Sequence, residues 1–206
     1  VDKVLPTTGL LYFFYDIWSM HWGETKGFLT YYVEDDNTHL KRITHPAPKI
    51  QRMQIQALPS FKLNFSTFIT PSVSDEFLQL LSGDTFFWES ERSTKYYGIE
   101  QDITHMYSPL HYLLGNPFTI QGDPRLEAQM AINGLDHFQN HPQNVYDRLK
   151  TGFSDWRLLF QMDTDSVAEA NFYLMFGDTG RLYFMIRTQD LKAKNFDSVW
   201  VSEQGS

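Results

Sequence analysis

His137 and His141 stand four residues apart, the spacing that puts two imidazoles on one helical face, as zinc sites require. Pro142 follows at once and steers His141 away from helical angles, and Gly134 closes the preceding helix, so the pair is expected in a loop. No Glu follows His137, which removes the zincin arrangement. Asp163 and Asp165 share a face of an extended chain. Paired carboxylates hold a hard cation or work as acid and base. Here Ser166-Val167 lacks the next oxygen ligand and the Gly of a calcium loop, and a solvated strand end accounts for both residues. His105 and His111 flank Met106-Tyr107-Ser108-Pro109, and a general-base role for His111 needs a partner within hydrogen-bond reach. Gly177-Asp178-Thr179-Gly180 carries the triplet of aspartic proteases, which need two carboxylates sharing a proton. The matching place near the start reads Pro6-Thr7-Thr8-Gly9, with Thr for Asp, so the string is read as a turn. No Gly-x-Ser-x-Gly elbow and no glycine-rich phosphate loop occur. No catalytic residue, metal or cofactor is assigned.

Aromatic residues are the better lead. Trp18, His21 and Trp22 lie close in sequence to Tyr12, Tyr15 and Tyr31; buried, they are core, and exposed, they mark an interface or a ligand groove. Trp18 and Trp22 are candidate apolar contacts of a ligand, with Gln161, Asp163 and Arg181 as polar ones.

The elements that position these residues follow from an internal echo. Gly9-Leu10-Leu11-Tyr12-Phe13-Phe14-Tyr15-Asp16 resembles Gly180-Arg181-Leu182-Tyr183-Phe184-Met185-Ile186-Arg187 at a shift of 171 positions. The same shift lays Phe28-Leu29-Thr30 on Val199-Trp200-Val201. Each copy reads as turn, strand, short connection, strand, because aromatic and β-branched side chains fit a half-buried pleated surface and glycine supplies the turn. Asp155 to Asp163 is a further strand ahead of the second copy. Only eight residues precede the first copy, so its matching strand is expected to be missing together with an N-terminal segment.

Between the copies, Ile50 to Leu58 alternates, with Met53, Ile55 and Ala57 on one face, and Phe61, Leu63 and Phe65 repeat the pattern, which predicts two half-buried strands. Helices are expected to be short. Ser74 caps one bearing Phe77, Leu80 and Leu81; Asp123-Pro124 starts another that Gly134 ends. Asp2-Lys3, His45 to Pro48 and Ser90 to Thr94 read as surface loops.

Gly9 to Asp16, Pro109 to Pro117 with Ile120-Gln121-Gly122-Asp123, Asp155 to Asp163, and Gly177 to Ile186 followed by Phe196 to Trp200 resemble the bacterial YwqG-like family over most of the chain. The resemblance implies a mainly-β fold of two related halves and carries no catalytic residues with it. It also implies a segment upstream of the first Gly-Leu-Leu-Tyr-Phe string.

Composition bounds the rest. The 206 residues hold 17 basic and 25 acidic side chains for a net charge of −8, no cysteine, and 16 % aromatics. An acidic chain with no basic run beyond Lys41-Arg42 has no electrostatic footprint for nucleic acid or an anionic membrane. Zero cysteines exclude disulfides and thiolate chemistry. No apolar run approaches the length of a membrane span, and a cytoplasmic location is expected. The expected fold is a single mainly-β α+β domain over residues 1–206, with the two halves forming a curved or partly closed antiparallel sheet and short edge helices. The expected function is a non-catalytic recognition module that binds a protein or small ligand at a cleft between the halves. The alternatives are a metal-assisted hydrolase built on His111, Asp163 or Asp165, and an immunity-type protein that binds a basic partner through its acidic surface.

Overall fold

The computed structural model describes residues 4–17, 27–34, 39, 41, 59–71, 91–137, 139–168 and 172–205, with backbone alone at 91–93. In chain order these form β1 (Leu10–Tyr15), β2 (Phe28–Val33), α1 (Glu91–Tyr107), β3 (Tyr112–Leu113), α2 (Pro124–Ile132), α3 (Gln143–Phe153), β4 (Trp156–Asp163), β5 (Asp165–Val167), β6 (Phe172–Leu174), β7 (Arg181–Arg187), α4 (Thr188–Lys192) and β8 (Trp200–Gln204). All ladders are antiparallel. They make a four-stranded sheet in the order β3-β4-β7-β8 and two-stranded sheets β1-β2 and β5-β6, none of which closes into a barrel. The class is mainly-β α+β.

The two echoing segments fold as hairpins with one register. In the first, Leu10 faces Val33 and Phe14 faces Leu29; in the second, Arg181 faces Gln204 and Met185 faces Trp200. Adding 171 to the first five first-hairpin pairs, Leu10↔Val33 to Phe14↔Leu29, gives the five pairs of the second. The glycine that opens each strand is needed for the same reason. A Cβ on Gly9, at φ +89°, would lie 2.3 Å from the Val33 carbonyl oxygen, and one on Gly180 would lie 2.1 Å from that of Gln204. Both approaches exclude any side chain.

The hairpins meet face to face. Leu11, Phe13, Tyr15, Phe28 and Tyr32 pack on a cluster containing Leu182, Phe184, Ile186, Val199 and Val201. Phe13 lies edge-on to Phe184, its own counterpart, at 5.1 Å between ring centroids. A bulge between Leu158 and Phe160 lets both Leu159 and Phe160 of β4 join this layer. The opposite face of the four-stranded sheet presents Tyr112, Trp156, Leu158, Tyr183, Met185 and Trp200 to Leu110, Phe118 and Ala128, with Tyr96 and Ile103 of α1 packed beside them.

Asp123 caps α2 as its sequence requires, its Oδ1 accepting the Arg125 N–H at 2.8 Å, and Gly134 follows the helix at φ +69°. Two local expectations are corrected. Glu91 to Thr94 begins a seventeen-residue helix rather than a loop, since its polar residues continue into a helix that presents Tyr96 and Ile103, seven apart, to the core. Phe61, Leu63 and Phe65 are exposed and form no strand; their alternation supplies a face, but no ladder among the described residues supplies backbone partners. The strand expected at 50–58 and the helix expected at 74–81 lie outside the described residues.

Candidate functional site

Gln161, Asp163 and Arg181 come together on β4 and β7, beneath the segment that runs from Leu110 to Asp123. Gln161 is fully buried; its Oε1 accepts the Phe118 N–H and its Nε2 donates to the Leu110 carbonyl, both at 2.9 Å. Asp163 Oδ2 accepts the Leu110 N–H at 2.9 Å. Arg181 Nε lies 2.9 Å from Asp163 Oδ1 with its N–H directed off the oxygen, so this contact is an ion pair rather than an aligned hydrogen bond. Arg181 also donates from Nη1 to the Phe118 carbonyl and lies over the Phe118 ring. Tyr183 donates to that same carbonyl at 2.7 Å. Further along, Gln204 accepts the Ile120 and Gln121 N–H groups and donates to the Gly122 carbonyl. Burial pushes the Tyr112 and Tyr183 hydroxyls well above the ordinary phenol range, against the nearby Arg181 charge, and keeps both neutral. These side chains meet the backbone needs of a segment that has little secondary structure of its own. A ligand reaching Gln161 or Asp163 has to displace it.

His111 converges with both aspartates. The Asp163 backbone N–H donates to His111 Nδ1 at 3.0 Å, which places the proton of the neutral ring on Nε2, 3.2 Å from Asp165 Oδ2. Both ring nitrogens are thereby committed, and the arrangement fastens β3 to the junction of β4 and β5. His105 stands apart and exposed in the last turn of α1. His137 lies edge-on to Trp200, and His141 Nε2 lies 2.7 Å from the Asp136 carbonyl oxygen, so the two histidines turn to different partners. Among the described residues no group of three or more metal-ligating side chains forms. Asp178 and Thr179 sit in the turn between β6 and β7, closed by Gly180 N–H to the Phe176 carbonyl. Trp18 and Trp22 lie outside the described residues.

A second feature lies where the hairpins meet at their edges. A cleft of about 350 Å³ is lined by Phe28, Leu29 and Thr30 of β2, by Ile132 at the end of α2, and by Phe196 to Trp200, the helical turn and strand start that lead into β8. Its lining is mainly apolar, and it lies half open to solvent. Thr30 Oγ1 and Trp200 Nε1 are buried without a hydrogen-bond partner among the described residues, and both residues line this cleft. Leaving such groups unmade costs about 1–3 kcal/mol each. The walls contain the two triplets that the 171-residue shift superposes, Phe28-Leu29-Thr30 and Val199-Trp200-Val201, apart from Val201. The signal that locates the cleft was therefore present in the sequence, although nothing there says that the matched triplets approach each other.

Tyr15 ties the two hairpins together by donating to Glu203; burial first, and then that carboxylate, raise its hydroxyl far above the phenol range. Among the described residues no helix is long and apolar enough to cross a membrane. No curated protein matches the chain. One family match covers almost all of it, residues 1–204, including both hairpins, the clamped segment and the cleft: the chain belongs to the family described as Domain of unknown function (DUF1963).

Proposed function

We propose that this chain is a recognition module without chemistry of its own, a YwqG-like duplicated domain of the cytoplasm that binds a small ligand in the cleft between its halves. The observation that supports this reading most is the cleft itself. Matched positions of both hairpins line it, and two of its lining residues, Thr30 and Trp200, bury a polar atom without a hydrogen-bond partner among the described residues. The register shared by β1–β2 and β7–β8 supports an origin by duplication. The commitment of both His111 nitrogens, and of the Asp163 carboxylate to Leu110 and Arg181, weighs against the metal-assisted hydrolase. Trp18 and Trp22 belong to the connection that ends at Gly27, beside the cleft-lining Phe28, and are proposed as its further apolar contacts.

Filling the cleft tests the reading. Ile132 is half exposed, so Ile132→Trp adds bulk to the wall with little cost to the core. Small aromatic fragments detected by ligand-observed NMR on the parent chain are expected to lose binding in this variant while its melting temperature holds. Fragments that bind both proteins equally place recognition elsewhere.

A further inference from the structure

We propose that the free edge of β1 docks an extended segment of a partner protein, which adds to the first hairpin as a third antiparallel strand. This edge is distinct from the cleft: β2 lines the cleft, and the edge faces away from β2. Ladder geometry sets which groups stand on it. The Asp16 N–H donates to the Gly27 carbonyl at 2.7 Å, and every second residue of an antiparallel pair follows suit, so Leu10, Tyr12 and Phe14 turn their N–H and C=O groups to β2. Leu11, Phe13 and Tyr15 turn theirs the other way, where no ladder partner stands among the described residues. On β7 the matched groups belong to Leu182, Phe184 and Ile186. There β4 takes them up, its ladder bracketed by the Thr164 N–H on the Gly180 carbonyl and the Thr188 N–H on the Asp155 carbonyl. The second hairpin thus displays what an edge of this design binds.

Room for the strand follows from the unequal widths of the two layers, since a hairpin of two strands lies on a sheet of four. Tyr32 of β2 reaches Phe196, ahead of β8, at 5.3 Å between ring centroids, while Phe13 of β1 already reaches Phe160 of β4 at 4.8 Å. The sheet therefore continues past β1, where Phe160 and Met162 of its inner face, and Leu114 just after β3, are only partly buried. A strand beside β1 lays one set of side chains on these and the other next to the exposed Phe14. Edges that stay single carry a charge, a proline or a bulge. β1 reads Leu-Leu-Tyr-Phe-Phe-Tyr, pairs with β2 over six residues without a bulge, and has none of these devices. The occupant is accordingly an uncharged stretch of similar length, apolar on both faces, bound by strand addition. The net charge of −8 sets copies of this chain against one another and favours a different protein as its source.

The probe is a capped synthetic peptide with the sequence of β4, Trp156 to Asp163, the strand that holds the matched edge of β7. Amide hydrogen exchange of the whole chain, followed in ¹H–¹⁵N spectra, reads the edge directly. In the protein alone the Leu11 and Phe13 amides are expected to exchange faster than those of Tyr12 and Phe14, and saturating peptide is expected to slow the first two about tenfold or more. N-methylation separates strand addition from apolar sticking. The Phe160 and Met162 amides of β4 face β7, opposite Phe184 and Leu182, so a peptide methylated at these two is expected to lose binding. One methylated at Gln161 and Asp163 is expected to keep it, because these amides face away; that of Asp163 goes to His111. Equal binding by the two methylated peptides, or no binding by the unmodified one, overturns strand addition. Leu11 and Phe13 amides already protected in the protein alone also overturn it: protection independent of concentration assigns the edge to the chain's own residues, and protection that rises with concentration assigns it to a second copy.

Discussion

Tyr12, Phe14, Leu29 and Tyr31 on the first hairpin occupy the same ladder positions as Tyr183, Met185, Trp200 and Ser202 on the second, yet the two outer faces meet different surroundings. Phe14, Leu29 and Tyr31 are 52 %, 50 % and 54 % exposed; Met185, Trp200 and Ser202 are 0 %, 5 % and 3 % exposed. The second face is extended by β4 and β3 and covered by α2 and the Leu110–Asp123 segment. On the first, Tyr12 stacks with Phe14 and leans on Tyr31 across the open surface. The same local code thus fixes register, turn glycine and inner face in both hairpins, whereas the fate of the outer face depends on chain far away in sequence. A hairpin specifies its pairing by itself and its burial only with help.

Lifting the cover is the most drastic way to erase that difference. Asp163→Ala leaves Arg181 buried beside no carboxylate and the Leu110 N–H without its acceptor, and is expected to cost about 3–5 kcal/mol in urea unfolding. Its tryptophan emission should shift to the red as the face carrying Trp156 and Trp200 loosens. A loss under about 1 kcal/mol would mean that Asp163 does not hold the segment down. Substituting matched residues is the next test: Met185→Ala opens a cavity at a fully buried site and is expected to cost about 3 kcal/mol, while Phe14→Ala on the open face costs under about 1 kcal/mol. Equal costs would show that something covers the first face in solution. Tyr15→Phe touches what the hairpins share rather than what separates them. It removes the hydroxyl that reaches Glu203 and keeps the ring against Phe176, for an expected loss of about 0.5–1.5 kcal/mol measured by thermal unfolding.

Sequence and structure agree where the signals are local. The Gly-x-Leu-Tyr-Phe strings declare both β1 and β7 because glycine, alternation and ring-bearing residues all point to one local structure, and Asp123-Pro124 declares α2 because cap and first-turn proline are a two-residue device. Phe61 to Phe65 alternates as well as any strand in the chain and still is none, since a ladder partner is not a property of the segment. The long α1 was hidden by the polar run at its start, which is the solvated entry to a helix with a narrow apolar face. Gln161, Asp163 and Arg181 stand out by their place near the second hairpin, and they do converge, but toward the backbone of Leu110 and Phe118, more than forty residues earlier in the chain. Gln204 does the same work and carried no signal at all. A buried glutamine is defined by the irregular segment it satisfies, and composition cannot announce that.

The gentlest probe of the asymmetry is proton concentration. His137 packs against Trp200, while the matched Leu29 stands half exposed on the open face, so this histidine's response belongs to the covered side of the molecule. Partial burial lowers its pKa below the usual 6.5, and the neighbouring Asp136 charge opposes that without reversing it. The unfolded chain therefore takes up this proton first as pH falls. Stability from the neutral ring is complete above the unfolded value and is lost progressively as pH drops from about 6.5 toward the lowered folded value. Because the ring is only half buried, solvent screens the effect, and it should be the smallest of the four. His137→Gln is expected to flatten the unfolding free energy between pH 7 and 5 relative to the parent chain. A parent and variant with parallel pH profiles would show that protonation disturbs the covered face no more than it does the unfolded chain.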